Sequence, residues 1–113
     1  MPATWPPKRV HGSTTGRPIM QLLDLLGRRW LLRILWELRD GPLSSRALRA
    51  ACDDVSPSVL QARLDDLRTA GLVELQTGAG YAMTPRAREL VPLLLQLSRW
   101  AEAWSATVPP RKA

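Results

Sequence analysis

The sequence predicts a small, mainly α-helical domain with one β-hairpin. Apolar residues recur at helical spacing through most of the 113-residue chain. Helix-start signals stand at Ser44, at Ser56-Pro57 and at Thr84-Pro85. The period changes to strand alternation once, at Leu72-Val-Glu-Leu-Gln76, ahead of a glycine-rich turn. The length suits one compact domain and is too short for two sizeable ones.

Each element follows in order. Residues 1–17 hold prolines, glycines and a Ser-Thr-Thr run without apolar periodicity, and are expected to form a flexible basic arm. The folded domain is expected over residues 18–107. Ile19, Leu22, Leu23, Leu25 and Leu26 predict a first helix from Pro18 that Gly27 interrupts. A second helix is expected over Arg28–Arg39, with Trp30, Leu31, Ile34, Leu35 and Leu38 on one face and Asp40-Gly41-Pro42 as its stop. Ser44 caps a short helix to Cys52 that turns Ala47, Leu48 and Ala51 inward. Asp53-Asp54-Val55 is a turn, and Ser56-Pro57 opens a helix through Leu60, Leu64 and Leu67 that ends at Ala70-Gly71. The strands are expected at 72–76 and 81–84, joined by a turn at 77–80. One long last helix is expected over roughly 86–105, carrying Leu90, Leu93, Leu94, Leu97, Trp100 and Trp104 on its apolar stripe, and Val108-Pro-Pro stops it. Residues 108–113 are expected to form a flexible basic tail.

Charge and composition exclude several classes of function. The net charge is +6, but it is unevenly spread. Lys8, Arg9 and Arg17 in the arm and Arg111 and Lys112 in the tail meet no acid, whereas residues 18–107 set 11 arginines against 10 carboxylates. Two basic tails thus flank a nearly neutral domain, and such tails either reach phosphate or simply lie in solvent. No apolar run is long enough for a transmembrane helix, and the opening residues are not expected to act as a signal peptide. A single cysteine, Cys52, and a single histidine leave no material for a disulfide framework, a metal site or a His-based catalytic triad. No nucleophile stands with a base, and no glycine-rich phosphate loop is present, so neither an enzyme nor a cofactor is expected. A cytoplasmic, nucleoid-associated protein without membrane contact is expected.

A short helix, a tight turn, a capped helix and a small hairpin together spell a winged helix-turn-helix. In that arrangement the first helix, with Ser44 and Arg46, crosses the DNA backbone, and the second, about residues 57–70, lies in the major groove. Its outward candidates are Ser56, Ser58, Gln61, Ala62 and Arg63: serine and the helix start for phosphate, glutamine for adenine, arginine for guanine or phosphate. Arg63 has a competing reading as the ion-pair partner of Asp53 or Asp66, and Ser56 as a helix cap. Asp65 and Asp66 are expected to lie beyond the groove or to pair with arginine. The wing at 76–80 carries no Arg or Lys, which leaves Thr77 as its candidate contact and the minor groove to Lys8 and Arg9.

The segments Gly27-Arg-Arg-Trp30, Gly41-Pro-Leu-Ser-Ser-Arg-Ala-Leu48, Val55-Ser-Pro-Ser-Val-Leu-Gln-Ala-Arg-Leu-Asp-Asp-Leu67, Ala70-Gly-Leu-Val73 and Tyr81-Ala-Met-Thr84, with Leu90 to Trp100, resemble the HxlR-type transcriptional regulators, winged-helix relatives of the MarR group. The resemblance covers about residues 18–104. It implies a bacterial, homodimeric, sequence-specific regulator of transcription that binds double-stranded DNA, with the dimer built from the N- and C-terminal helices. Many members of that family carry Cys-Pro before the first helix, some for redox or electrophile sensing. Here Arg17-Pro18 stands in its place, and Cys52 is expected to be a buried structural thiol.

Five tryptophans are many for this length. Trp30, Trp36, Trp100 and Trp104 either line a site for a small aromatic effector or serve packing, with Trp30 and Trp100 in the core and Trp104 in a dimer contact. The competing function is a winged-helix module for protein–protein contact or aromatic-ligand sensing with little DNA specificity of its own.

Overall fold

Pro18 supplies a pre-set φ and no N–H, which is what the first turn of a helix tolerates, and α1 (Pro18–Leu26) starts there. The computed structural model describes residues 16–109. After α1 come α2 (Leu31–Glu37), α3 (Ser45–Ala51), α4 (Pro57–Thr69), the strands β1 (Val73–Gln76) and β2 (Gly80–Met83), then α5 (Pro85–Arg88) and α6 (Val91–Thr107). The prediction of a mainly helical, winged helix-turn-helix domain matches this order, since α3 and α4 flank a tight turn and the hairpin follows directly.

Three starts are fixed as their side chains dictate. The hydroxyls of Ser44, Ser56 and Thr84 accept from the backbone N–H groups of Ala47, Val59 and Ala87, each three residues on. Thr84 also donates its hydroxyl to the carbonyl of Gly71 at 2.7 Å, tying the end of α4 to the end of the hairpin. One apolar cluster unites α1 through α5: Leu25, Leu31, Ile34, Leu35, Leu48, Leu64 and Leu67 are among the fully enclosed side chains. Each such burial contributes about 1.5–3 kcal/mol relative to exposure.

The structure corrects three boundaries and one expected burial. The second helix begins at Leu31, not Arg28, because Trp30 sits in the left-handed region at φ 72° and Leu31 N–H bonds back to Arg28 in a turn. It ends at Glu37, two residues early, in tightened i→i+3 bonds at Leu38 and Arg39. The last helix is two helices. Pro92 has no N–H to give the carbonyl of Arg88, so the chain breaks at Glu89–Leu90 and restarts with proline in its first turn. Trp100 is not in the core: it is 61% exposed, because only Leu94 of α6 is buried.

The hairpin pairs Val73 with Met83, Glu74 with Ala82, Leu75 with Tyr81 and Gln76 with Gly80. Its loop is therefore the three residues Thr77-Gly78-Ala79, closed by Ala79 N–H on the Gln76 carbonyl. Leu43 forms an isolated antiparallel bridge beside β2, exchanging both backbone hydrogen bonds with Tyr81 at 2.9 and 2.8 Å. The wing is thus anchored to the segment that leads into α3.

Gly80 makes that approach possible. It has φ 104°, and a Cβ there would overlap the Leu43 carbonyl and come within 2.8 Å of Ser44 N. Gly78 also has positive φ, at 78°, but opens onto empty space. Gly80→Ala is expected to lower unfolding free energy by more than about 2 kcal/mol, and Gly78→Ala by about 1–2 kcal/mol for its backbone strain alone. Denaturant unfolding of the two variants side by side checks it; equal losses would deny the steric contact.

Candidate nucleic-acid interface

α3 and α4 are set by a turn in which Asp53 and Asp54 both take positive φ, 54° and 58°. Aspartate tolerates that region better than most residues. Two arginines brace it. Arg49 donates through Nε to the Val55 carbonyl at 2.8 Å. Arg33, from α2, donates to the Ala51 carbonyl at 2.7 Å and pairs with Asp53 at 3.4 Å and Glu37 at 3.0 Å. Cys52 lies fully buried between these elements. Burial pushes its thiol up, against the opposing pull of the Arg33 guanidinium.

α4 buries Leu60, Leu64 and Leu67, a stripe at i, i+4 and i+7. The opposite face is exposed: Ser58, Gln61, Ala62, Asp65 and, a turn further on, Arg68. Ser56 holds the cap, with its hydroxyl 3.5 Å from that of Ser58. The Gln61 amide donates to Asp65 at 3.0 Å. Arg63 points elsewhere. Its guanidinium meets Asp66 at 3.1 Å, and Asp66 also accepts from Arg28 at 2.9 Å, from the turn between α1 and α2. Arg63 Nε is buried without a hydrogen-bond partner among the described residues.

The expected site residues therefore divide. Ser56, Ser58, Gln61 and Ala62 share the start and outer face of α4. Ser44 caps α3, Arg46 is exposed on it, and Thr77 is exposed at the tip of the hairpin. Arg63 is tied into an ion pair, the competing reading made for it, with Asp66 rather than Asp53 as its partner. Lys8 and Arg9 lie outside the described residues. Asp66 pairs with arginine as expected; Asp65 takes an amide instead. The i, i+4 spacing of Arg33–Glu37 and Gln61–Asp65 is a signal visible in the sequence. Nothing local announces Arg28–Asp66 or the arginine braces on carbonyls.

Trp30 is half-buried against the core. Trp36 is half-buried with the Arg39 guanidinium 4.0 Å above its ring. It lines an apolar groove of about 370 Å³ between α2 and α6 with Leu32, Leu94, Leu97 and Ala101. Trp100 and Trp104 stack, centroids 5.9 Å apart and planes at 13°, with more than half of each exposed. Among the described residues, no three His, Cys, Asp or Glu side chains come together to hold a metal ion, and no helix is long and apolar enough to cross a membrane.

The model of the HxlR-like helix-turn-helix family matches residues 25–109. The HTH-type transcriptional regulator YvaP of Bacillus subtilis (strain 168) is 31% identical over 88 residues, which span 73% of this chain and 82% of YvaP. Among solved structures, the quinone-bound YodB from B. subtilis superposes with a TM-score of 0.69 at 27% identity, over 75% of this chain and 96% of YodB. The redox regulator HypR in its reduced form superposes at 0.66 with 26% identity, over 77% of this chain and 92% of HypR.

The enclosure of Cys52 has a direct consequence for its reactivity, since the thiolate is the reacting species. A thiol reagent at pH 8 is expected to label native Cys52 at least about a hundredfold more slowly than the urea-unfolded chain, because reaction waits on opening of the fold. Absorbance stopped-flow measures both rates. Comparable rates would show an accessible thiol.

Proposed function

The chain belongs to the HxlR-like helix-turn-helix family and is a transcriptional regulator of helix-turn-helix type, not an enzyme, and on that premise we propose that it binds specific double-stranded DNA sites as a homodimer, with α4 in the major groove. One observation carries the groove assignment. α4 buries a single leucine stripe, and its capped N-terminal turns expose Ser58, Gln61 and Ala62, with no acid in the first turn to repel phosphate. Ser56 and the first backbone N–H groups of α4, with Ser44 and Arg46 at α3, suit contacts to the sugar–phosphate backbone. The hairpin tip offers Thr77, and Lys8 and Arg9 are assigned the minor groove.

The homodimer reading rests on α6. Every residue from Arg99 to Pro109 is exposed, and Leu93, Leu97, Trp100 and Trp104 are each more than half exposed. Two further apolar residues of α1, Ile19 and Leu23, are exposed to the same degree. Apolar surface on this scale marks a contact with another chain. A small aromatic effector has a candidate seat in the groove beside Trp36, near that same face; YodB, solved with quinone bound, supplies the analogy.

Selection of random-sequence DNA by the purified protein, followed by titration of the best fragment at two salt concentrations, tests the DNA reading. A two-fold symmetric site is expected, with log affinity falling against log salt by about 0.9 per phosphate neutralised. No enriched sequence and no salt slope would favour a module for protein contact. Sedimentation equilibrium tests the assembly: the native chain is expected as a dimer, and Leu97→Glu as a monomer or a dimer at least about tenfold weaker. A native monomer at micromolar concentration would end the homodimer reading.

A further inference from the structure

We propose that Asp65, oriented by Gln61, is a base-reading residue that selects cytosine in the major groove through the cytosine amino group. The inference rests on the reading of α4 as the recognition helix. Ser58, Gln61, Ala62 and Asp65 stand at i, i+3, i+4 and i+7 and are all exposed, so whichever groove receives Gln61 also receives Asp65. Helical side chains lean toward the N-terminus, which brings the Asp65 carboxylate back to the level of the Gln61 amide, 3.0 Å away.

The charges around this pair narrow its chemistry. Arg63, the cation nearest in sequence, is turned to Asp66, and Asp66 is already shared with Arg28. Among the described residues, Asp65 has an amide as its hydrogen-bond partner and no cation. A carboxylate is an acceptor only, and it brings negative charge toward phosphate. In a major groove it is tolerated where the base edge offers a donor. Guanine shows two acceptors there, and thymine one acceptor and a methyl group. Adenine has an amino donor, but its N7 acceptor stands beside it and opposes a carboxylate, whereas cytosine shows its amino group with no acceptor of its own in the groove. Gln61 spends one amide N–H on Asp65 and keeps the other, together with its carbonyl. The second N–H suits the O6 or N7 of the guanine paired to that cytosine. The pair thus fits a C·G base pair in one orientation and opposes the reverse.

The same charge weakens attraction to DNA at large. Affinity for random sequence comes from phosphate neutralisation, and a carboxylate facing the groove subtracts from it. The ratio of specific to non-specific binding rises for that reason.

Asp65→Asn keeps the shape and removes the charge at an exposed position, so its melting temperature should match that of the native chain. Both full-length proteins are put through the same random-sequence selection, and the enriched site is titrated against its single-base variants. The native protein is expected to prefer cytosine over guanine at one position of each half-site. In Asp65→Asn that preference should fall about tenfold or more, with the other positions unchanged and binding to random DNA tightened. An Asp65→Asn profile identical to the native one overturns the inference while leaving the regulator reading intact. So does an even loss at every position. A native protein that enriches no sequence overturns both.

Discussion

The burial of Leu60, Leu64 and Leu67 decides which way α4 faces, and the proposed interface depends on that orientation. These three leucines meet the cluster built by Leu31, Ile34, Leu35 and Leu48, so α4 has one rotation that keeps its apolar stripe from water. At about 1.5–3 kcal/mol per buried leucine, the stripe outweighs anything the exposed face could gain by turning inward. Ser56 with Pro57 fixes where the helix starts, and Gly71, at φ 77°, lets the chain leave it toward the hairpin. Once rotation and ends are set, Ser58, Gln61, Ala62 and Asp65 must face outward.

Charge works on a second level. The arginine content invites a picture of a basic surface, yet several of the arginines are engaged by partners within the same chain. Arg33 and Arg49 hold carbonyls around the α3–α4 turn, and Arg28 and Arg63 converge on Asp66. These contacts fix the position of α4 against α2 and of the turn against both. Partly enclosed pairs of this kind do more for geometry than for net stability, since desolvation offsets much of their attraction. The positive charge still directed at solvent, on Arg46, Arg68 and Arg88 for example, is scattered over α3, α4 and α5.

Much of this was legible in the sequence, for reasons that are local. Ser44, Ser56-Pro57 and Thr84-Pro85 act on backbone N–H groups three residues away, so the starts of α3, α4 and α5 can be read directly. Leu60, Leu64 and Leu67 announce their own face. What stayed hidden depends on distant neighbours or on backbone conformation. Trp30 looks like one more apolar residue at helical spacing, but its left-handed backbone keeps it out of α2. The pairing of Leu43 with Tyr81 joins residues far apart in the chain, and no pattern in either segment predicts it. At the candidate site, the outward exposure of Ser58, Gln61 and Ala62 follows from the helical period. The inward turn of Arg63 was legible only as one of two outcomes, because it depends on where Arg28 places its charge beside Asp66.

The break before α6 follows from one missing N–H and reaches furthest into function. Pro92 interrupts the hydrogen-bond ladder between α5 and α6, and beyond it Leu93, Leu97, Trp100 and Trp104 stay exposed while Leu94 alone of α6 is buried. At 17 residues α6 is about 25 Å long, and a helix with one buried residue gains little from the body of its own chain. Its Trp100–Trp104 stack gives it local order without removing those rings from water. Helices of marginal intrinsic stability are held by tertiary or quaternary packing. The apolar face that α6 leaves exposed is the surface on which the proposed dimer rests. In the proposed dimer, assembly and the folding of α6 are one equilibrium, in which each chain supplies the apolar cover that the other lacks.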